Sequence, residues 1–175
     1  LLKSISLGPL MMQLSKHIVL VLSLVLSLFL STAQSLSAEE LLDGRVFTGK
    51  IGPEEKPDLS DSLHFSDGHF WSDICRRCGF LPGSYSSELT KDGITFTGIL
   101  KSESRGQFDY QGLVREDGSI VVSIQWERRR WYWTSRREIA FRGMASSSEK
   151  AVSLEAIRKN LDIANLDDNP LCARF

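Results

Sequence analysis

Residues that carry chemistry are scarce in this chain. Its 175 residues include three cysteines and three histidines. No nucleophile elbow, metalloprotease helix or phosphate-binding glycine loop occurs, which leaves catalysis without residues and points away from an enzyme. Proline and glycine are not in excess, as befits an ordinary globular composition. Charge of one sign is lacking too: 21 basic residues face 22 acidic ones, so the balance suggests neither a nucleic-acid partner nor an acidic tail. A long hydrophobic run is also missing. The apolar stretch Ile18–Leu30 spans 13 residues, short of the roughly 20 needed to cross a bilayer as a helix. Nothing in these bulk properties names an activity, and the length suits one domain rather than two.

That short apolar stretch has the layout of a secretory signal peptide. Lys16 and His17 precede it, and the small residues of STAQSLSA follow it. Met11 and Met12 stand directly upstream, so translation is expected to start at one of them. Small residues at −3 and −1 place cleavage after Ala33 or Ser35. No cysteine follows the stretch to take a lipid, and the alternative is an uncleaved N-terminal anchor. The expected organisation is a signal peptide over 1–35, a β-domain over 36–143, and a linker, helix and tail over 144–175. A periplasmic or secreted protein follows, with no transmembrane segment in its mature form. Loss of 1–35, which holds Lys3 and Lys16 and no acid, leaves it mildly acidic.

The body of the chain alternates. RVFTGKI (Arg45–Ile51) reads as a first strand, and the GPEEKPD that follows reads as a loop. Asp67-Gly68, Asp92-Gly93 and Asp117-Gly118 then recur 25 residues apart, each between strand-like segments, which is a hairpin signal. Ile94, Phe96 and Gly98 share one face of their strand. Ile120, Val122, Ile124 and Trp126 share a face of the next but one. Beyond Arg130 the apolar residues become odd-numbered (Trp131, Trp133, Ile139, Phe141), which requires a turn or bulge between Trp126 and Trp131. A tight loop at Glu127–Arg130 is the expected solution. The result is about eight strands in a sequential meander, hence an all-β, antiparallel up-and-down barrel. After it, Ser148 is placed to cap an amphipathic helix ending near Leu161, whose stripe of Leu154, Ile157 and Leu161 would lie on the barrel wall.

A signal segment, an eight-strand meander and a C-terminal helix together resemble the lipocalin-like (calycin) architecture. The chain departs from that family near its first strand, where Gly44-Arg45-Val46 stands instead of Gly-x-Trp. The resemblance is one of layout, and layout carries little functional information.

Two places are candidates for function. The first is Cys75-Arg-Arg-Cys78, with Cys172 in the tail. Three cysteines cannot all pair within one chain. Behind an export signal a disulfide is the first expectation, and a bridge from Cys172 to Cys75 or Cys78 would pin the tail to the barrel. Arg76 and Arg77 would favour thiolates and so a redox role. A zinc or copper site from His69, Asp73, Cys75 and Cys78 is the third reading. A three-residue turn at Ser66–Gly68 would send His64 and His69 to opposite faces of their hairpin, so that they could not share an ion. The second place is WERRRWYWTSRREIAFR (Trp126–Arg142). Its tryptophans are either core and belt residues, with Arg128–Arg130 as a wet tip, or the lining of a pocket. In the pocket reading Trp126, Trp131, Trp133 and the apolar-face Arg137 hold a small apolar or amphipathic ligand. The functional expectation is a non-enzymatic barrel that binds such a ligand, or a partner protein of the envelope, without a cofactor. The alternative is a thiol or metal protein centred on Cys75 and Cys78.

Overall fold

A computed structural model describes residues 41–161 and Cys172, all within the compact unit Ser37–Phe175. The expected signal segment lies outside the described residues. Eight strands follow one another: β1 (Val46–Pro53), β2 (Leu59–Ser66), β3 (His69–Ser72), β4 (Gly83–Thr90), β5 (Gly93–Ser102), β6 (Gly106–Val114), β7 (Ser119–Arg130) and β8 (Trp133–Ala145). Each pairs antiparallel with the next, and β8 returns to β1 from Phe47↔Ala145 to Pro53↔Ile139, closing the barrel in chain order. Closure removes the sheet edges that an open meander would expose. Two helices accompany it, α1 (Asp73–Arg77) between β3 and β4, and α2 (Leu154–Leu161) after β8. No helix among the described residues is long and apolar enough to cross a membrane.

Alternation places the core. Ile120, Val122, Ile124 and Trp126 of β7 are buried while their odd-numbered neighbours face outward. The interior holds aromatic rings. Phe65 meets Phe47, Tyr85 and Phe96 edge-on, with centroids 5.8, 5.0 and 5.1 Å apart, and Phe70 meets Tyr110 at 5.0 Å. Such edge-to-face pairs add to the burial term. Rings this large fit because glycine stands beneath two of them. A Cβ on Gly98 would overlap the Phe70 ring, and one on Gly112 would overlap Phe96, its cross-strand partner.

The three Asp-Gly pairs make three different turns. Asp67 and Gly68 both take positive φ, 55° and 69°, and join Ser66↔His69 as a two-residue hairpin. Asp92-Gly93 is offset, with Thr90↔Gly93 the closing pair. Around Asp117 the loop is longer, closed by Arg115 N–H donating to Ser119 O at 2.9 Å. The first of these corrects the expected three-residue turn. With His64 opposite Trp71 and His69 opposite Ser66, both histidines lie on the outer face.

α2 starts later than expected. Ser153, not Ser148, caps it, accepting from Ala156 N–H through Oγ at 3.4 Å and from Ile157 N–H through its carbonyl at 3.2 Å. Leu154 and Ile157 are buried, and Leu154 N–H donates to Asp67 at 3.2 Å, which seats the helix start beside the β2–β3 turn.

Candidate functional site

The β7–β8 hairpin is longer than the wall that carries it. Pairing of β6 to β7 stops at Gln107↔Glu127, and pairing of β1 to β8 stops at Pro53↔Ile139. Beyond those points β7 and β8 pair, among the described strands, only with each other: Glu138, Arg137 and Arg136 with Gln125, Trp126 and Glu127, then Arg128↔Ser135, Arg129↔Thr134 and Arg130↔Trp133. At roughly 3.3 Å per residue the hairpin projects on the order of 10–20 Å past the barrel rim. The expected loop at Glu127–Arg130 is therefore wrong: those residues are strand, and the turn is Trp131-Tyr132. The odd register explains the phase change without a bulge, since even residues of β7 oppose odd residues of β8.

This projection separates the four residues expected to share a pocket. Trp126 is 4% exposed and closes the core at the rim, its indole N–H donating to Arg105 O at 2.9 Å. Arg137 stands directly opposite and places its guanidinium carbon 5.7 Å from the Trp126 ring centre, a cation–π distance. Trp131 and Trp133, expected to face inward, are instead 94% and 47% exposed. Trp131 sits in the turn, and the strand face of Trp133 continues the inward one, but the barrel has ended there and none of the described strands opposes it.

The two faces of the projection differ in charge. Glu127 on one face accepts from Arg136 Nε at 2.7 Å and from Arg129 Nε; these bonds hold its carboxyl below the usual range. Glu138 shares that face by alternation. The other face carries Trp126, Arg128, Arg130, Trp133, Ser135 and Arg137, with no acid at any position. At the turn, Trp131 and Tyr132 pack edge-on at 4.9 Å, with Trp133 6.2 Å beyond. Tyr132 and the acid-free face were not singled out in the sequence, although the registered alternation of ERRR with WTSRR contains the signal.

The cysteine motif resolves into a helix and a staple. Ser72 Oγ accepts from Cys75 N–H at 3.0 Å and starts α1; Arg76 and Arg77 occupy its last turn. Beneath it lies Asp61, a buried carboxylate that accepts from Ser72 Oγ–H at 2.6 Å and Ile74 N–H at 3.0 Å. Burial raises its pKa against those bonds. Asp61 alternates with Leu63 and Phe65, so its inward position was readable but was missed. Cys78 bonds Cys172 at a sequence separation of 94, and Cys75 is a buried free thiol. Cys75 and Cys78 therefore form no dithiol pair. Burial, with Asp61 nearby, pushes the Cys75 thiol up to about 12, the opposite of what the adjacent arginines led one to expect and unsuited to nucleophilic or redox chemistry at neutral pH.

The four expected metal ligands face separate partners. His69 Nδ1 lies 2.8 Å from Asp67 O, Asp73 is 3.3 Å from His64 Nε2, Cys75 Sγ is 3.3 Å from Tyr110 Oη, and Cys78 is in the disulfide. Burial works to raise Asp73, but His64, Arg76 and Arg77 carry it below its ordinary value. Among the described residues no group of three or more histidine, cysteine or acidic side chains is placed to hold a metal.

No family model matches the chain, and no curated protein or solved structure matches it. The hairpin and the cysteine region stand on their own chemistry.

Proposed function

We propose that this chain is an exported, non-catalytic binding module: a packed barrel that holds the β7–β8 hairpin outward as its binding element. The single observation behind this is the run Trp131-Tyr132-Trp133 at the tip, exposed by 94%, 58% and 47%. Two-residue hairpin turns favour Gly, Asn or Asp. Two large aromatics here sacrifice both turn preference and burial, which a binding role repays, since Trp, Tyr and Arg dominate binding hot spots. Rings occupy the interior in which a lipocalin-like barrel would carry a ligand, so the outside is favoured. The Cys78–Cys172 bond supports an oxidising compartment. For a small amphipathic ligand the alternative seat is an outer trough of about 970 Å³ across β4–β6, where Leu81 and Ile99 lie near Lys101 and Asp109.

A photo-cross-linking side chain at position 132, compared with one at the exposed turn position 117 and expressed in the native host, tests this reading. Adducts specific to position 132 are expected. Equal labelling from both positions, or none from 132, overturns it.

A further inference from the structure

We infer that the hairpin tip docks on an anionic phospholipid surface. This rests on the hairpin being the binding element and names what it meets. Three features select a lipid surface. First, the tip is convex and aromatic on three consecutive residues; a protein partner would need a matching cavity, whereas the headgroup–acyl boundary accepts Trp and Tyr rings without one. Second, the charge is complementary: Arg128 and Arg130 lie on a face without any acid, while Glu127 binds Arg129 and Arg136 on the reverse. Third, the spacing fits. Arg130 and Arg128 precede the aromatic turn by one and three residues, roughly 3–10 Å along the strand, which leaves guanidinium groups at phosphate level when the rings sit roughly 5–10 Å deep. The free edges of the projection are flanked by arginine, which also hinders pairing with another sheet edge.

Tryptophan fluorescence isolates the tip. The remaining tryptophans, Trp71 and Trp126, are buried in the barrel unit, and residues 1–36 contain none, so an apolar N-terminal segment cannot mimic the signal. The full chain is mixed with vesicles of phosphatidylcholine alone, or of phosphatidylcholine with an equal part of phosphatidylglycerol, each with brominated acyl chains as quencher. Expected is quenching with a blue shift in the anionic vesicles and roughly 10–30-fold weaker partitioning for Arg128→Ser/Arg130→Ser, from about one unit of 1 kcal/mol per arginine. Trp131→Ser/Trp133→Ser should leave emission insensitive to either vesicle. Absence of quenching, equal quenching by neutral vesicles, or no effect of the arginine variant overturns the inference. Protein adducts from position 132 without quenching would retain the hairpin as the binding element and eliminate the lipid.

Discussion

Replacing each tryptophan of the hairpin region by alanine separates a structural ring from a displayed one. Trp126 is 4% exposed, packs in the core, stacks under Arg137 and donates to Arg105 O. Its removal leaves a cavity at the rim and a carbonyl without its donor, so Trp126→Ala should cost about 3–5 kcal/mol. Trp131, at 94% exposure, has little to lose, and Trp131→Ala should stay within about 0.5 kcal/mol of the parent. Urea unfolding followed by far-UV circular dichroism reads both. With a slope of about 2 kcal/mol per molar, Trp126→Ala moves the midpoint down by roughly 1.5–2.5 M while Trp131→Ala barely moves it. Trp126→Phe should fall between, keeping much of the packing and losing the indole hydrogen bond. If Trp131→Ala costs more than Trp126→Ala at unchanged slope, the hairpin does not project as described, and the reasoning fails.

Filling the space beneath a ring should be harmful: Gly112→Val is expected to lose about 1–3 kcal/mol in the same assay although valine favours strands, because the Phe96 ring must give way. Reduction of Cys78–Cys172 releases a constraint across 94 residues and should lower stability by up to about 4–5 kcal/mol on the loop-entropy estimate, seen as a midpoint shift with reductant that Cys172→Ser removes. Cys75 should resist thiol reagents in the native protein and react once it is unfolded. The thiol pKa rises from 9.0 to about 12 on folding, so its stabilising contribution is complete below about pH 9. It is lost as pH climbs from 9 to 12, by up to about 4 kcal/mol; a Cys75→Ala variant with a flatter alkaline limb checks this, and an unchanged limb refutes it.

Much of the barrel was legible because strand alternation and Asp-Gly turns are local signals. Arg45–Ile51 lies within two residues of β1 at either end, and the even-numbered face of β7 was correct to Trp126. What failed lay in contacts distant in sequence or in an element too short to show a pattern. Ser60-Asp61-Ser62 hid the start of β2, since a buried carboxylate looks like a surface residue until Ser72 and Ile74 are seen to bind it. The five-residue α1 was too short to show a period. Ser148 and Ser153 are equivalent caps by composition, and Asp67 beside the start of α2 favours the second.

The chain alone determined that it folds as an eight-strand meander closing on itself, because alternating burial and turn chemistry are properties of neighbouring residues. It also determined that Arg137 shares a face with Trp126. Tertiary structure alone decided where the barrel stops. The pattern of side chains runs unbroken through the rim, but burial depends on whether another strand stands opposite, and past Glu127 none of the described strands does. That absence of a wall turns Trp131 and Trp133 from expected lining into a displayed tip. In the same way, only the folded chain brings Cys172 to Cys78 and encloses Cys75, since partner choice between cysteines is set by distance in space and not by spacing in sequence.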